Sequence, residues 1–176
     1  MKDDELQSLL QQALGAIDDP RTGLPTPVFT FALQITPMIN VDLYVRDSSG
    51  RTLLSWRDDE YGRGWHVPGG IIRFGEPAVQ RIDAVADAEL GLSVIAEDSP
   101  CHVHEHYTGY DRGHFVSLIY RCRPCSAFRR PALFGDVLHP HSDQIAWFSG
   151  PPGDFYPSQR TYPNWLWDSK LDLLRV

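Results

Sequence analysis

Glu89 is the residue of this chain best placed to do chemistry. It lies late in a helical stretch that follows the break Pro68-Gly69-Gly70, and a glycine-rich loop feeding a helix with a carboxylate is a common way to hold a metal against phosphates. A hard divalent cation takes oxygen ligands, and Mg2+ commonly uses one or two carboxylates while water and substrate phosphate fill the rest of its shell. The helical neighbours at i−4 and i−1, Val85 and Ala88, have nothing to ligate with, so Glu89 either stands alone as the side-chain ligand or is a surface helix residue. Glu76 precedes Pro77 at the start of the same helix, where a carboxylate is worth roughly 0.3–1 kcal/mol against the helix dipole. Its other reading is a role behind the site. Arg57, Arg73 and Arg81 flank the stretch, and a planar guanidinium binds phosphate bidentately. His102, His104 and His106 alternate and share one strand face, with His114 expected close to His106, as a pocket lining or a metal site with Cys122 and Cys125. Cys122 and Cys125 supply only half of a zinc framework. His139 and His141 lie in a loop ahead of a short strand; an imidazole titrates near neutral pH and suits a general base, and the alternative is an exposed loop histidine.

The elements that must position these groups follow from periodicity and turn residues. The core stretch is Gly62–Leu92. The apolar run Trp65–Val67 precedes the glycines, Ile71–Phe74 reads as a strand, and a helix of about fourteen residues runs from Pro77 to a stop at Gly91. Upstream, Met38–Val45 and Thr52–Trp56 read as a hairpin around Asp47–Gly50, and Arg57–Gly64 as a polar loop. Thr26-Pro27 opens either a short helix through Gln34 or, given the β-rich Val28–Leu33, a strand. Downstream come Leu92–Ile95, Cys101–Tyr107 and His114–Arg121 around the turn Thr108–Gly113. An irregular stretch Arg123–Asp136 follows, then the strand Gln144–Phe148 and a final helix Ser158–Leu174 interrupted near Pro163. At the N-terminus, Leu6, Leu9, Leu10, Ala13 and Ile17 make a helical stripe over Asp4–Ile17, and Asp18–Pro27 is a proline-rich arm. The stripe either meets a partner subunit or docks on its own domain.

Length and composition set the bounds. With 176 residues, 42% apolar and 22% charged, one globular domain with a full core is expected, organised as residues 1–27 (helix and arm) and 28–176 (the main domain). A net charge of −7 argues against general nucleic-acid binding but not against a small phosphate ligand. No apolar run reaches the ~20 residues needed to span a bilayer. There is no secretory h-region and no even disulfide framework, so a cytoplasmic protein is expected.

Gly70, Glu76, Glu89, Gly91 and Leu92 fit G-x5-E-x7-R-E-U-x-E-E-x-G-U, with U apolar, and the chain thereby resembles the Nudix superfamily. Ala84, Val85 and Ala88 stand where that box has an arginine and two glutamates. The direction of the loss resembles the GDP-mannose mannosyl hydrolase branch. So do Thr36-Pro37-Met38 with Val41-Asp42-Leu43, Leu53–Arg57 against L-L-x-x-R, Trp65–Gly70 against W-F-V-P-G-G, and Ser158–Tyr162 against S-R-x-Y. The likeness runs from about Phe29 to Trp147 and more weakly to the end.

What the resemblance implies is an α/β/α sandwich with a mixed central sheet. Mg2+ (Mn2+ as substitute) would be held by Glu89, the Gly69 carbonyl and, by the register set on Trp147, His141. The substrate would be a nucleoside diphosphate sugar contacted by Asp42, Arg57 and His114, with Arg73 and Arg81 standing in for family arginines replaced by Ile71 and Ala84. Arg57, Glu89 and His141 would be the catalytic set, in a homodimer. The alternative is a module on the same fold that binds a nucleotide without turnover.

Overall fold

The computed structural model describes residues 3–107, 113–135 and 137–167. The elements in order are α1 (Asp3–Gly15), α2 (Thr26–Ile35), β1 (Met38–Val45), β2 (Thr52–Asp59), β3 (Gly62–His66), β4 (Gly69–Ile71), α3 (Ala78–Val85, prolonged by a π-helical turn Ala86–Leu90), β5 (Val94–Ala96), β6 (His102–Tyr107), β7 (His114–Pro124), β8 (Ala132–Phe134) and β9 (Ile145–Phe148). One sheet has the order β4-β1-β7, with β5 and β6 sharing the far edge of β7. The other has the order β3-β2-β9-β8. The pairs β1/β7 and β8/β9 are parallel and the rest antiparallel, so the α/β class with mixed pairing is as expected, in two sheets rather than one.

Strand alternation divides the core in two. Val41, Leu43 and Val45 of β1 pack with Leu53 of β2 and Ile82, Val85, Ala86 and Leu90 of α3. The intervening Tyr44, together with Leu54, Trp56 and Trp65, points the other way, onto Phe155, Tyr162 and Leu166 of the C-terminal segment. Residues 82, 85, 86 and 90 fall on one helical face, and burying that face is what makes α3 stable. The helix ends as its sequence dictates, with Gly91 at φ 64°.

Several expectations are corrected. Arg57–Gly64 is not a loop: β2 runs on to Asp59 and β3 starts at Gly62, because the pairing that begins at Ser55↔His66 continues to Asp59↔Gly62. The strand after Pro68 is Gly69–Ile71, earlier than Ile71–Phe74, since it pairs with Asn40–Asp42. The stretch predicted irregular contains β8, which pairs parallel to β9. Of the two readings of Thr26-Pro27 the helix holds, over Thr26–Ile35, with Pro25 as its cap. The last helix is replaced, as far as residue 167, by two 3-10 turns, Pro157–Gln159 and Asn164–Trp167, because Gln159 and Tyr162 turn inward to bond the domain; the rest of Ser158–Leu174 lies outside the described residues, as does most of the turn Thr108–Gly113.

α1 buries no residue, and Leu6, Leu9, Leu10 and Leu14 are exposed, so the stripe does not dock on its own domain. Among the described residues no helix is long and apolar enough to cross a membrane.

The C-terminal segment reaches the domain through β3. The Trp65 N–H donates to the Asp154 carbonyl and the Tyr156 N–H to the Trp65 carbonyl, both at 2.8 Å. Gly64 permits this approach: its φ is 154°, and a Cβ there would stand 2.5 Å from the Asp154 carbonyl oxygen and 2.8 Å from the Tyr156 nitrogen. Gly64→Ala is therefore expected to destabilise the fold by about 2 kcal/mol or more in urea titration. Gly153→Ala, with open space around it, should change stability by less than about 0.5 kcal/mol. Equal effects at the two positions would contradict this packing.

Candidate active site

The same alternation that builds the core aims a set of polar groups at one carboxylate. Leu53 of β2 faces α3, and by period 2 so do Ser55 and Arg57. His66 of β3 lies directly opposite Ser55 in the register and shares that face. Arg57 is opposite Gly64.

Glu89 completes the set from α3. It lies four residues beyond the buried Val85, inside the π-helical turn, and single π turns of this kind are frequent at functional sites. His66 Nε2 is 2.8 Å from Glu89 Oε2, Arg57 Nη2 is 3.3 Å from Oε1, and the Ser55 hydroxyl donates to Oε2 at 3.3 Å. Burial pushes the Glu89 carboxyl up, but the His66 imidazole, the Arg57 guanidinium and the Ser55 hydroxyl more than offset it, and the group ends below its ordinary value.

Asp42 sits on the other side of β1, directly paired with Gly69 of β4. Any Cβ at Gly69 would collide with the Asp42 carboxylate and the Val41 carbonyl, which explains the glycine. The Tyr162 hydroxyl donates to Asp42 Oδ2 at 2.5 Å and lies 3.2 Å from the Ser117 hydroxyl. Asp42 is 2% exposed, and burial drives its carboxyl up to about 6 against the opposing hydrogen bonds of Tyr162 and Ser117. Gln159 clamps the intervening turn by accepting from the Val67 N–H at 2.7 Å and donating to the Val67 carbonyl at 3.0 Å.

Two cavities meet at this point and share Asn40, Arg57, Gly69 and Phe115. One, of about 40 Å3, is lined also by Asp42, His66 and Tyr162, and is sized for an ion and water. The other, of about 450 Å3, is lined by Arg57, Arg73, Arg81, Gly69 and Gly70 and is walled by Pro20, Gly23 and Leu24 of the N-terminal arm. Glu76 bonds Arg81 at 2.8 Å and accepts the Arg73 N–H at 2.9 Å, and Arg73 reaches the Arg21 carbonyl at 3.2 Å. Glu76 thus fixes the Arg81 guanidinium and the Arg73 backbone, beyond any service to the helix dipole.

Of the residues picked from sequence, Asp42, Arg57, Gly69, Arg73, Arg81 and Glu89 are brought together at or beside these cavities. His114 is not: it pairs opposite Tyr107, and its Nε2 meets Glu105 at 2.8 Å, whereas His106 lies opposite Phe115 and lines the small cavity. The one-residue difference in register puts the two histidines on different faces. His141 lies in an exposed loop with Nδ1 2.9 Å from the Ser142 carbonyl and lines neither cavity. Arg130 ties that loop to the helix end by donating to the carbonyls of Asp143 (3.0 Å) and Ala88 (2.7 Å). Sequence reasoning missed His66, Ser55, Gln159 and the arm. Only His66 carried a signal, a polar ring between the buried Trp65 and Val67.

Among the described residues, no three His, Cys, Asp or Glu side chains are arranged to hold a metal. The donors present still fit a divalent cation of the kind that relies on water and substrate phosphate. Glu89 is the ionised oxygen donor, and the buried Asn40 Oδ1, which lines both cavities, has no hydrogen-bond partner among the described residues.

The folded-state value of Asp42 lies above the ~3.9 of an unfolded aspartate, so the native state binds the proton more tightly; that stabilisation is complete below about pH 4 and lost as pH rises through about 6. Asp42→Asn keeps an acceptor for Tyr162 and cannot ionise. In metal-free protein it is expected to be more stable than the parent above about pH 7, by on the order of 2–3 kcal/mol, and to lose that advantage below about pH 4. A melting-temperature difference that does not vary with pH would count against the burial of an ionisable Asp42.

No protein-family model matches the chain. It is similar to Agl8, a low-salt glycan biosynthesis protein of Haloferax volcanii, with 33% identity over 110 residues covering 58% of this chain and 69% of that protein. Among solved structures, a UDP-X diphosphatase superposes with a TM-score of 0.57 at 15% identity, covering 97% of this chain and 81% of that one. A NUDIX-family hydrolase from Clostridium perfringens gives 0.56 at 14% identity, covering 80% and 99%. A possible asymmetric diadenosine tetraphosphate hydrolase from Jonesia denitrificans gives 0.55 at 20%, covering 78% and 94%. At these identities the structures speak to the fold alone; with Gly70, Glu76, Glu89, Gly91 and Leu92 of the box in place and kinship over 69% of a relative's length, the chain belongs to the Nudix hydrolase superfamily.

Proposed function

We propose that the chain is a divalent-cation-dependent hydrolase of a nucleoside diphosphate sugar or a related nucleoside diphosphate derivative. The observation that carries this reading is the convergence of Arg57, Arg73 and Arg81 with Gly69 on one 450 Å3 cleft, with Arg57 in turn 3.3 Å from Glu89. Three guanidinium groups suit a diphosphate, and the aromatic wall of Phe74 and Phe115 suits a flat base or a sugar face. The glycan-biosynthesis role in the name of the 33%-identical relative and the UDP-X substrate in the name of a structural neighbour support the same class.

Glu89 and the Gly69 carbonyl would hold Mg2+, which when bound supplies charge neutralisation at the leaving diphosphate. The arginines orient that diphosphate and share its charge. His141 remains the candidate for water activation: its Nδ1 faces the Ser142 carbonyl, which leaves Nε2 as the basic nitrogen, and Arg130 holds its loop against the helix that carries Glu89. In the preferred course, water attacks sugar C1, the C–O bond breaks, and nucleoside diphosphate leaves with its bridging oxygen. A homodimer through the uncovered leucine stripe of α1 belongs to the same reading.

The second reading, a module that binds a sugar nucleotide without turnover, is favoured by one feature: both Glu89 oxygens already have protein partners, and Ala84, Val85 and Ala88 add no ligand.

A screen of sugar nucleotides with Mg2+ and Mn2+ in 18O-water is expected to give nucleoside diphosphate with the label in the sugar. Label in the phosphate product excludes attack at carbon. Glu89→Gln should reduce turnover ~100-fold or more. Unchanged turnover in that variant rejects the ligand assignment, and a raised melting temperature without turnover selects the binding module. Light scattering should return a dimer; a monomer removes the subunit contact.

A further inference from the structure

We infer that His66 is a nitrogen ligand of the cation held at Glu89, so that the centre is one imidazole and one carboxylate rather than a cluster of carboxylates. The inference rests on the reading above that this site binds a divalent cation.

His66 is 3% exposed, on a strand between the fully buried Trp65 and Val67. At this position the W-F-V-P-G-G pattern has a phenylalanine, so an apolar ring satisfies the packing and the imidazole calls for its own explanation. The hydrogen bonds supply it. Nδ1 is 2.8 Å from the Ser55 carbonyl oxygen, which only accepts, so Nδ1 carries the proton and donates. Nε2 is then the lone-pair nitrogen of the neutral ring, and it points at Glu89 Oε2, 2.8 Å away. A proton on Nε2 makes this contact an imidazolium–carboxylate pair, and a divalent cation that displaces that proton finds a nitrogen and an oxygen donor already 2.8 Å apart. A metal-bound histidine almost always donates its other ring N–H to a carbonyl, carboxylate or water, which fixes both tautomer and orientation. Neighbouring ligands of an octahedral ion with bonds of ~2.1 Å stand ~3 Å apart, close to the spacing of this pair.

The surroundings agree. His66 lines the cavity of about 40 Å3 that is also lined by Asn40 and Gly69, and the Asn40 Oδ1 there is buried with no hydrogen-bond partner among the described residues. The helix has shed its other ligands, since Ala84, Val85 and Ala88 offer no donor, and the facing strand offers one in their place. A nitrogen donor also changes which ions the site prefers. Imidazole favours borderline ions such as Mn2+ and Co2+ relative to Mg2+, which binds oxygen.

The test is pulsed electron paramagnetic resonance of the full chain loaded with Mn2+. Modulation from a directly bound 14N nucleus is expected, is retained in His141→Ala, and is lost in both His66→Phe and His66→Gln. The same His66 variants should lower the Mn2+-over-Mg2+ preference, read as the ion concentration that raises the melting temperature, by about tenfold or more. Mn2+ bound in a Glu89-dependent way without nitrogen modulation overturns this inference and leaves the proposed function standing, as does modulation that survives loss of His66. Modulation abolished by His141→Ala places the nitrogen in the loop and also overturns it. Absence of any Mn2+ or Mg2+ binding overturns both. If the His66 variants do not fold, the parent and His141→Ala spectra still decide, because the expected modulation must be present in both.

Discussion

Almost everything in this structure answers to one requirement, that a carboxylate on the inward face of α3 be kept charged away from bulk water. An ionised carboxylate inside a fold needs paired donors, and breaking one member of such a set leaves the rest exposed to the full desolvation cost. Glu89 receives Arg57, Ser55 and His66, all from the α3-facing side of the β2/β3 hairpin. That contact fixes the rotation of α3 over the sheets. A one-residue slip of β3 against β2 would turn His66 into the other core and Trp65 toward the carboxylate, so the register and the charge enforce each other.

A second buried acid, Asp42, is solved differently. It lies on the opposite face of β1, receives a hydroxyl from Tyr162, and holds its proton up to about pH 6. Tyr162 comes from the far end of the chain, as do Gln159 on Val67 and the Leu166 carbonyl that accepts the Thr52 hydroxyl at 2.9 Å. The C-terminal segment is therefore a wall of the site rather than an appended helix. Its prolines and short 3-10 turns follow from that, because a regular helix would carry Gln159 and Tyr162 along a cylinder instead of pressing them into the domain.

The box shows the same division of labour. Its glycines and Glu76 keep their positions but serve geometry: a Cβ at Gly70 would stand 3.0 Å from the Val85 side chain, Gly91 closes the helix at positive φ, and Glu76 holds the Arg81 guanidinium and the Arg73 backbone. Where the helix has lost charges of the box, Arg57 and His66 on the neighbouring strands face it instead. A centre built this way has little local redundancy. Each of its charged groups is held by a contact to a different element, so its chemistry depends on the packing of the whole domain.

The sequence by itself determined the family, the helix ending at Gly91, the glycine break, the strands β1 and β7, and Glu89, Arg57 and Asp42 as residues to watch. These are legible because local periodicity, turn residues and motif spacing lie within a few residues of one another. Only the tertiary structure decided that His66 and Ser55 face Glu89, that Tyr162 and Gln159 reach back about 90 residues or more to Asp42 and Val67, that His114 turns away from His106, and that the arm walls the arginine cleft. Each of these depends on strand register or on a contact across most of the chain. A shift of one residue in pairing reverses which side chains face the site, and no short-range pattern in the sequence carries that information.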